Sequence, residues 1–174
     1  EENQEAYKLA LNYVKKFREM KEKNQGLLLY GPVGTGKSFT AACIANALME
    51  QNITVIMTSF VKILQDIGTG DEASYIQILN SASLLIIDDL GAERNTDYAL
   101  EKVYNVIDSR IRTDKPMILT TNLELSEMLQ TTDIRYRRVY DRIFETCYPV
   151  EMPGKSFRQI EAAQRFNDMK ELLQ

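Results

Sequence analysis

Between an apolar run, Gly26-Leu-Leu-Leu-Tyr30, and a stretch with helical spacing over residues 36–51, the chain carries Gly31-Pro-Val-Gly-Thr-Gly-Lys37-Ser38. This segment satisfies GxxxxGK[ST] at every fixed position. The glycines let main-chain N–H groups curl around an anion without a side-chain clash, and the helix that follows turns its positive end toward the same point. A glycine-rich turn is the bland alternative. The apolar strand before the segment and the amphipathic helix after it are what a phosphate cradle needs, so we read a cradle. In that reading Lys37 reaches the β- and γ-phosphates of a nucleoside triphosphate, and the Ser38 hydroxyl ligates Mg²⁺.

The same alternation continues along the chain. Residues 53–58, 84–88 and 116–121 are apolar runs that read as strands, with a short extended piece at 147–152. Helical spacing covers 3–22, the region before Asn80, 97–112, 134–145 and a last stretch from about 156. Continuous apolar strands separated by amphipathic helices predict a parallel sheet covered on both faces. Gly68-Thr-Gly-Asp71 is expected to be a loop, and a boundary is expected near Pro153-Gly154. A chain of 174 residues implies one domain. No apolar run approaches the ~20 residues of a membrane span, and no basic-then-apolar leader is seen.

Three further groups carry chemistry. Leu84-Leu-Ile-Ile-Asp88-Asp89 ends an apolar strand in adjacent carboxylates. Alone such a pair often closes a polar turn; beside a phosphate loop, Asp88 becomes the metal holder, directly or through water, and Asp89 the group that polarises an attacking water. Many ATPases of this kind have Glu at the second position, so the shorter Asp89 points to slow hydrolysis or to a need for a neighbour's help. Thr120-Thr121-Asn122 ends another strand, and ligands in open α/β sheets bind beyond such ends. There Asn122 orients the lytic water or senses the γ-phosphate, unless it merely caps a helix. Histidine is absent, which removes the commonest general base and metal ligand.

Over 134–144, Tyr136, Val139, Tyr140, Ile143 and Phe144 share one helical face, while Arg135, Arg138 and Arg142 fall on the opposite one. That stripe is either solvated surface or the source of an arginine finger for a neighbouring subunit. Arg158, opening the last helix, could fold over the γ-phosphate of its own subunit. Ala162, Phe166, Met169 and Leu173 form an apolar stripe on the same helix, read as core or as a partner surface. Cys43 and Cys147 match no metal-ligand spacing and suggest a reducing cytoplasm. A net charge of −4 argues against bulk polyanion binding, while leaving room for a local basic groove.

In this order the motifs resemble the AAA+ ATPases of the DnaC/DnaI-type replicative helicase loader family and its IstB-like ATP-binding kin, over roughly residues 25–160. Leu90-Gly-Ala-Glu93 and the stretch Thr96–Val103 strengthen the resemblance. It implies a P-loop NTPase fold of three αβα layers, with a mostly parallel five-stranded sheet and a minimal C-terminal helical lid. It divides the chain into an N-terminal amphipathic helix packed on the core (1–24), an AAA+ core (25–153) and a sensor II helix (154–174). Gly31, Pro32, Val33, Gly34, Thr35, Gly36, Lys37, Ser38 and Phe39 are then the nucleotide-binding segment, and Ser38 and Asp88 the metal ligands. Asp89, Asn122, Arg142 and Arg158 are the catalytic set, with Arg138 the alternative finger. The family's separate N-terminal helicase-binding domain has no counterpart here, and the start at Glu1-Glu2-Asn3 without methionine leads to the same expectation of a fragment.

The resemblance further implies a cytoplasmic, slowly hydrolysing ATPase using ATP and Mg²⁺ and stimulated in trans. Its implied partners are further copies of itself, single-stranded DNA and the hexameric replicative DNA helicase. Lys62 is a candidate backbone contact for DNA. An IstB-like transposition helper shares the same ATP site. A small-molecule kinase and a nucleotide-holding module without turnover are the readings from other classes.

Overall fold

The computed structural model describes residues 3–91 and 96–173; Ala92 and Glu93, part of the Leu90–Glu93 motif, lie outside the described residues. Five strands, β1 (Gly26–Tyr30), β2 (Val55–Ser59), β3 (Leu84–Leu90), β4 (Met117–Thr121) and β5 (Cys147–Glu151), form one sheet in the order β2-β3-β4-β1-β5. All four pairings are parallel, so the sheet is wholly rather than mostly parallel. Pro149 sits on the edge strand β5, where a missing N–H costs no ladder bond on the outer side.

Side-chain alternation along each strand sorts the core into two halves. Leu28, Leu85, Ile87, Met117 and Leu119 face a cluster with α4 (Phe60–Thr69), α5 (Glu72–Ser81), α6 (Asp97–Arg112), α7 (Leu125–Gln130) and α8 (Ile134–Thr146). Leu27, Leu29, Leu84, Ile86 and Ile118 face α1 (Gln4–Lys15), α2 (Phe17–Glu22) and α3 (Lys37–Met49). This is the three-layer α/β arrangement expected of strands that are apolar on both faces. The stretch read as one helix over 3–22 is two, α1 and α2, divided at Lys16, and Leu9 on its apolar side is exposed.

Two other expectations change. Gly68 and Thr69 belong to the last turn of α4; Gly70 ends that helix and Asp71 caps α5 by accepting from the Ser74 N–H at 3.1 Å, so no loop spans 68–71. The helix α9 (Phe157–Leu172) has no buried side chain among those described, and Phe166 is 74% exposed: its apolar stripe is not core.

One buried cation ties the sheet's lower edge together. Arg110 of α6 is fully buried and donates to the carbonyls of Ala82, Ser83 and Pro116 at 2.8–3.2 Å. Its guanidinium satisfies main-chain acceptors left over where α5 ends and β3 and β4 begin. Desolvation draws its pKa down to about 10.

Candidate nucleotide site

The connection from β1 runs over one face to distant β2, and the connection from β4 runs over the other face to β5. Chain paths therefore diverge beside β1, which opens a crevice at the carboxyl ends of β1, β3 and β4. A cleft of about 580 Å³ lies there. Its size suits a nucleotide.

The phosphate loop forms the floor. Gly31, Gly34 and Gly36 have φ of 134°, 84° and 96°, values open to glycine and strained for other residues. Space demands glycine as well at two of them. A Cβ on Gly31 would lie 2.6 Å from the Met152 carbonyl oxygen, and one on Gly34 would overlap the Ser156 side chain. Thr35 is buried, its hydroxyl donating to the Pro32 carbonyl at 3.0 Å. Lys37 opens α3 with its amine donating to the Gly31 and Pro32 carbonyls at 2.7 and 2.6 Å. Burial lowers its pKa, opposed by the charges of Asp89 and Asp88. Ser38, Val33 and the exposed Phe39 line the cleft; Pro32 lies on the loop's outer side, beside Gly154 and Ser156.

The acidic wall comes from a bulge. Ile87 pairs with Leu119 and Leu90 with Thr121, so Asp88 and Asp89 together oppose the single residue Thr120. Asp89 takes φ of 56°, a left-handed conformation that Asp tolerates better than most side chains. Both carboxylates line the cleft, as does Asn122 just past β4. Thr120 holds the bulge: its hydroxyl accepts the Asp89 N–H at 3.0 Å and donates to Asp88 Oδ1 at 2.5 Å.

The fourth side is the start of α9. Phe157 N–H donates to the Gly34 carbonyl at 2.9 Å, docking this helix on the phosphate loop and setting Arg158 against the cleft. Tyr7, Phe157 and Glu161 also line it. Sequence reading missed these three, along with Asn3, which is buried and donates to the Thr35 carbonyl at 3.0 Å. Phe157 sits inside the Ser156-Phe-Arg158 segment with no role of its own in the sequence reading, and no motif marks the other three; the packing of α1 and α9 over the loop does.

The arginines of α8 lie elsewhere. Arg135, Arg138 and Arg142 run along α6: Arg135 pairs with Asp97, Arg138 stands 4.9 Å from the Tyr104 ring centre, and Arg142 Nε is 3.1 Å from Asp108 Oδ1. Arg142 also binds Glu145 at 2.8 Å, and these partners raise its pKa. The stripe is therefore a seam between two helices rather than a freely solvated face. Lys62 is paired with Asp66 on its own helix at 2.7 Å.

The residues present fit a nucleoside triphosphate with a divalent cation. Glycines bare the loop amides, an amine and a guanidinium flank them, and the hydroxyl and carboxylate oxygens of Ser38 and Asp88 are the hard donors such an ion prefers. Among the described residues no cluster of three or more His, Cys, Asp or Glu side chains that could hold a metal occurs, and no helix is long and apolar enough to cross a membrane.

A parallel five-stranded sheet with a phosphate loop, an acidic strand end and a polar strand end around one cleft defines a P-loop ATPase of the AAA+ class. Within that class the chain belongs to the IstB-like ATP-binding protein family, whose sequence profile matches residues 6–165. The replicative helicase loader DnaI of Bacillus subtilis is 26% identical over 162 residues, covering 84% of this chain and 51% of that protein. An ATP-binding protein in an insertion sequence of Mycobacterium tuberculosis is 27% identical over 143 residues, covering 79% and 57%. The chain thus spans little more than half the length of these relatives. A crystal structure of DnaI superposes with a TM-score of 0.73 at 23% identity, over 90% of this chain and 84% of that one, a likeness of fold.

Proposed function

We propose that this chain is the ATPase module of a helicase loader: it binds ATP with Mg²⁺, assembles with further copies of itself, and delivers a hexameric replicative helicase to single-stranded DNA. The observation that carries the nucleotide part is the meeting of Lys37, Asp88, Asn122 and Arg158 around one cleft, from four separate elements. In this reading the loop amides and Lys37 bind the phosphates, and Ser38 and Asp88 hold the metal. Bound Mg²⁺ adds positive charge where negative charge gathers on the transferring phosphoryl group. Asp89 accepts a hydrogen bond from the attacking water, and Asn122 orients it. Arg158 neutralises charge from the lid side.

The arginine finger is assigned to α8. Arg142, half-buried in its pairs with Asp108 and Glu145, is the finger in this reading, and Arg138, exposed over Tyr104, is the alternative. Residues 1–24, 25–153 and 154–174 act as docking helices, core and lid. Support for the loader reading is the resemblance to DnaI; support for the second reading, a transposition helper, is the insertion-sequence relative.

Co-elution of the chain with its cognate hexameric helicase, with and without ATP, tests the first reading, with Lys37→Ala as control. ATP-dependent co-elution lost in the variant supports it. Capture of the transposase in place of the helicase transfers the assignment to the second reading.

A further inference from the structure

We infer that Thr120 is a positioning residue for Asp88, fixing the carboxylate that holds the metal, and that it thereby links the acidic end of β3 to the end of β4 that carries Asn122. The inference rests on the proposed role of Asp88.

In a regular parallel ladder each main-chain N–H of β3 finds a carbonyl on a neighbouring strand. With Asp88 and Asp89 both opposite Thr120, the ladder is interrupted there, and the Asp89 N–H is left over in a half-buried place. The Thr120 hydroxyl accepts it at 3.0 Å. A hydroxyl has one proton to give, and an ionised carboxylate can only accept. The 2.5 Å contact between Thr120 Oγ1 and Asp88 Oδ1 therefore has a fixed direction, from threonine to aspartate.

Thr120 is fully buried, so its hydroxyl has these two groups rather than bulk water as partners. One hydroxyl thus orients the Asp88 carboxylate through Oδ1, leaving Oδ2 for the metal, and pins the main chain of Asp89. Its neighbour reinforces the join: Thr121 donates to the Leu90 carbonyl at 2.8 Å and accepts the Leu123 N–H at 3.1 Å. Between them the two threonines hold both sides of the bulge, and Asn122 follows directly. A plain core role would need the methyl group of Thr120 rather than its hydroxyl, and the two roles separate by substitution.

The test measures metal dependence rather than turnover. A fluorescent ATP analogue is titrated onto the protein in EDTA and across a Mg²⁺ series, for the parent, Thr120→Val, Thr120→Ser and Asp88→Asn. Groups that hydrogen-bond a metal ligand are worth roughly 10–100-fold in metal affinity, so Thr120→Val should move the Mg²⁺ midpoint by about tenfold or more. Affinity in EDTA should stay within about twofold, because the phosphate loop is untouched. Thr120→Ser, which keeps the hydroxyl, should stay near the parent, and Asp88→Asn should lose the Mg²⁺ effect.

A Thr120→Val protein with the parental midpoint overturns the inference alone. So does a Thr120→Ser protein as impaired as the valine variant. A parent whose nucleotide affinity ignores Mg²⁺ overturns the underlying role of Asp88 as well. If Thr120→Val does not fold, Thr120→Ala against Thr120→Ser makes the same comparison.

Discussion

Gly34 meets the first turn of α9 so closely that the pair Gly34 and Ser156 should be energetically coupled. The perturbation is Gly34→Ala. At φ of 84° an alanine is strained by about 1–2 kcal/mol, offset by ~0.4–1 kcal/mol from its stiffer unfolded chain. Its Cβ would overlap Ser156 Oγ and lie 2.8 Å from Ser156 Cβ and 3.2 Å from Ser156 Cα. Overpacking of that kind costs roughly 1–3 kcal/mol, giving a total of about 1–5 kcal/mol. Ser156 caps α9, and replacing a cap serine with glycine costs only a few tenths of a kcal/mol. The glycine removes the Oγ and Cβ collisions and leaves the 3.2 Å contact and the backbone strain. Gly34→Ala with Ser156→Gly should therefore be more stable than Gly34→Ala alone, with a coupling of about 1–2 kcal/mol. Urea unfolding of the four proteins measures it, and nucleotide affinity should recover in parallel. Additive single effects would refute the claim that α9 docks on the phosphate loop.

Other expectations concern separate parts of the molecule. Arg110→Met should destabilise by about 3 kcal/mol, since several buried carbonyls lose their donor, read as a lowered denaturant midpoint. Native protein should react rapidly with a thiol reagent at one cysteine, the exposed Cys43. Cys147, buried with its thiol pushed up to about 12, should react only after unfolding. Arg138→Ala and Arg142→Ala should both keep nucleotide binding, and the finger is the one whose loss removes concentration-dependent ATP turnover. Arg142→Ala should also lower stability, because buried Asp108 loses one of its two ion pairs among the described residues.

Four of the strands were legible because each holds a short apolar run, and runs like Leu84–Ile87 are buried on both faces whatever helices cover them; the edge strand Cys147–Glu151 was legible only as a short extended piece. The loop, the aspartate pair and Asn122 were legible because their chemistry sits at strand ends, where the topology gathers them. Other features depend on pairings that local pattern does not contain. Periodicity put Arg135, Arg138 and Arg142 on one face of α8, but only the fold brings Asp97, Tyr104 and Asp108 of α6 against it. The stripe on α9 has the same spacing covered or bare. The short helix α7 is capped by Glu124 and Glu127, a weaker signal than a serine or threonine cap. Thr120 reads as an ordinary strand residue until the register shows two aspartates opposite it.

A crystal structure with a non-hydrolysable ATP analogue and Mg²⁺ addresses the central claim most directly. Phosphates should lie on the main-chain amides of residues 34–38, with the cation at coordination distance from the Ser38 hydroxyl and bound to Asp88 directly or through one water. Nucleotide bound away from this loop, or a cation out of reach of Asp88, would contradict it.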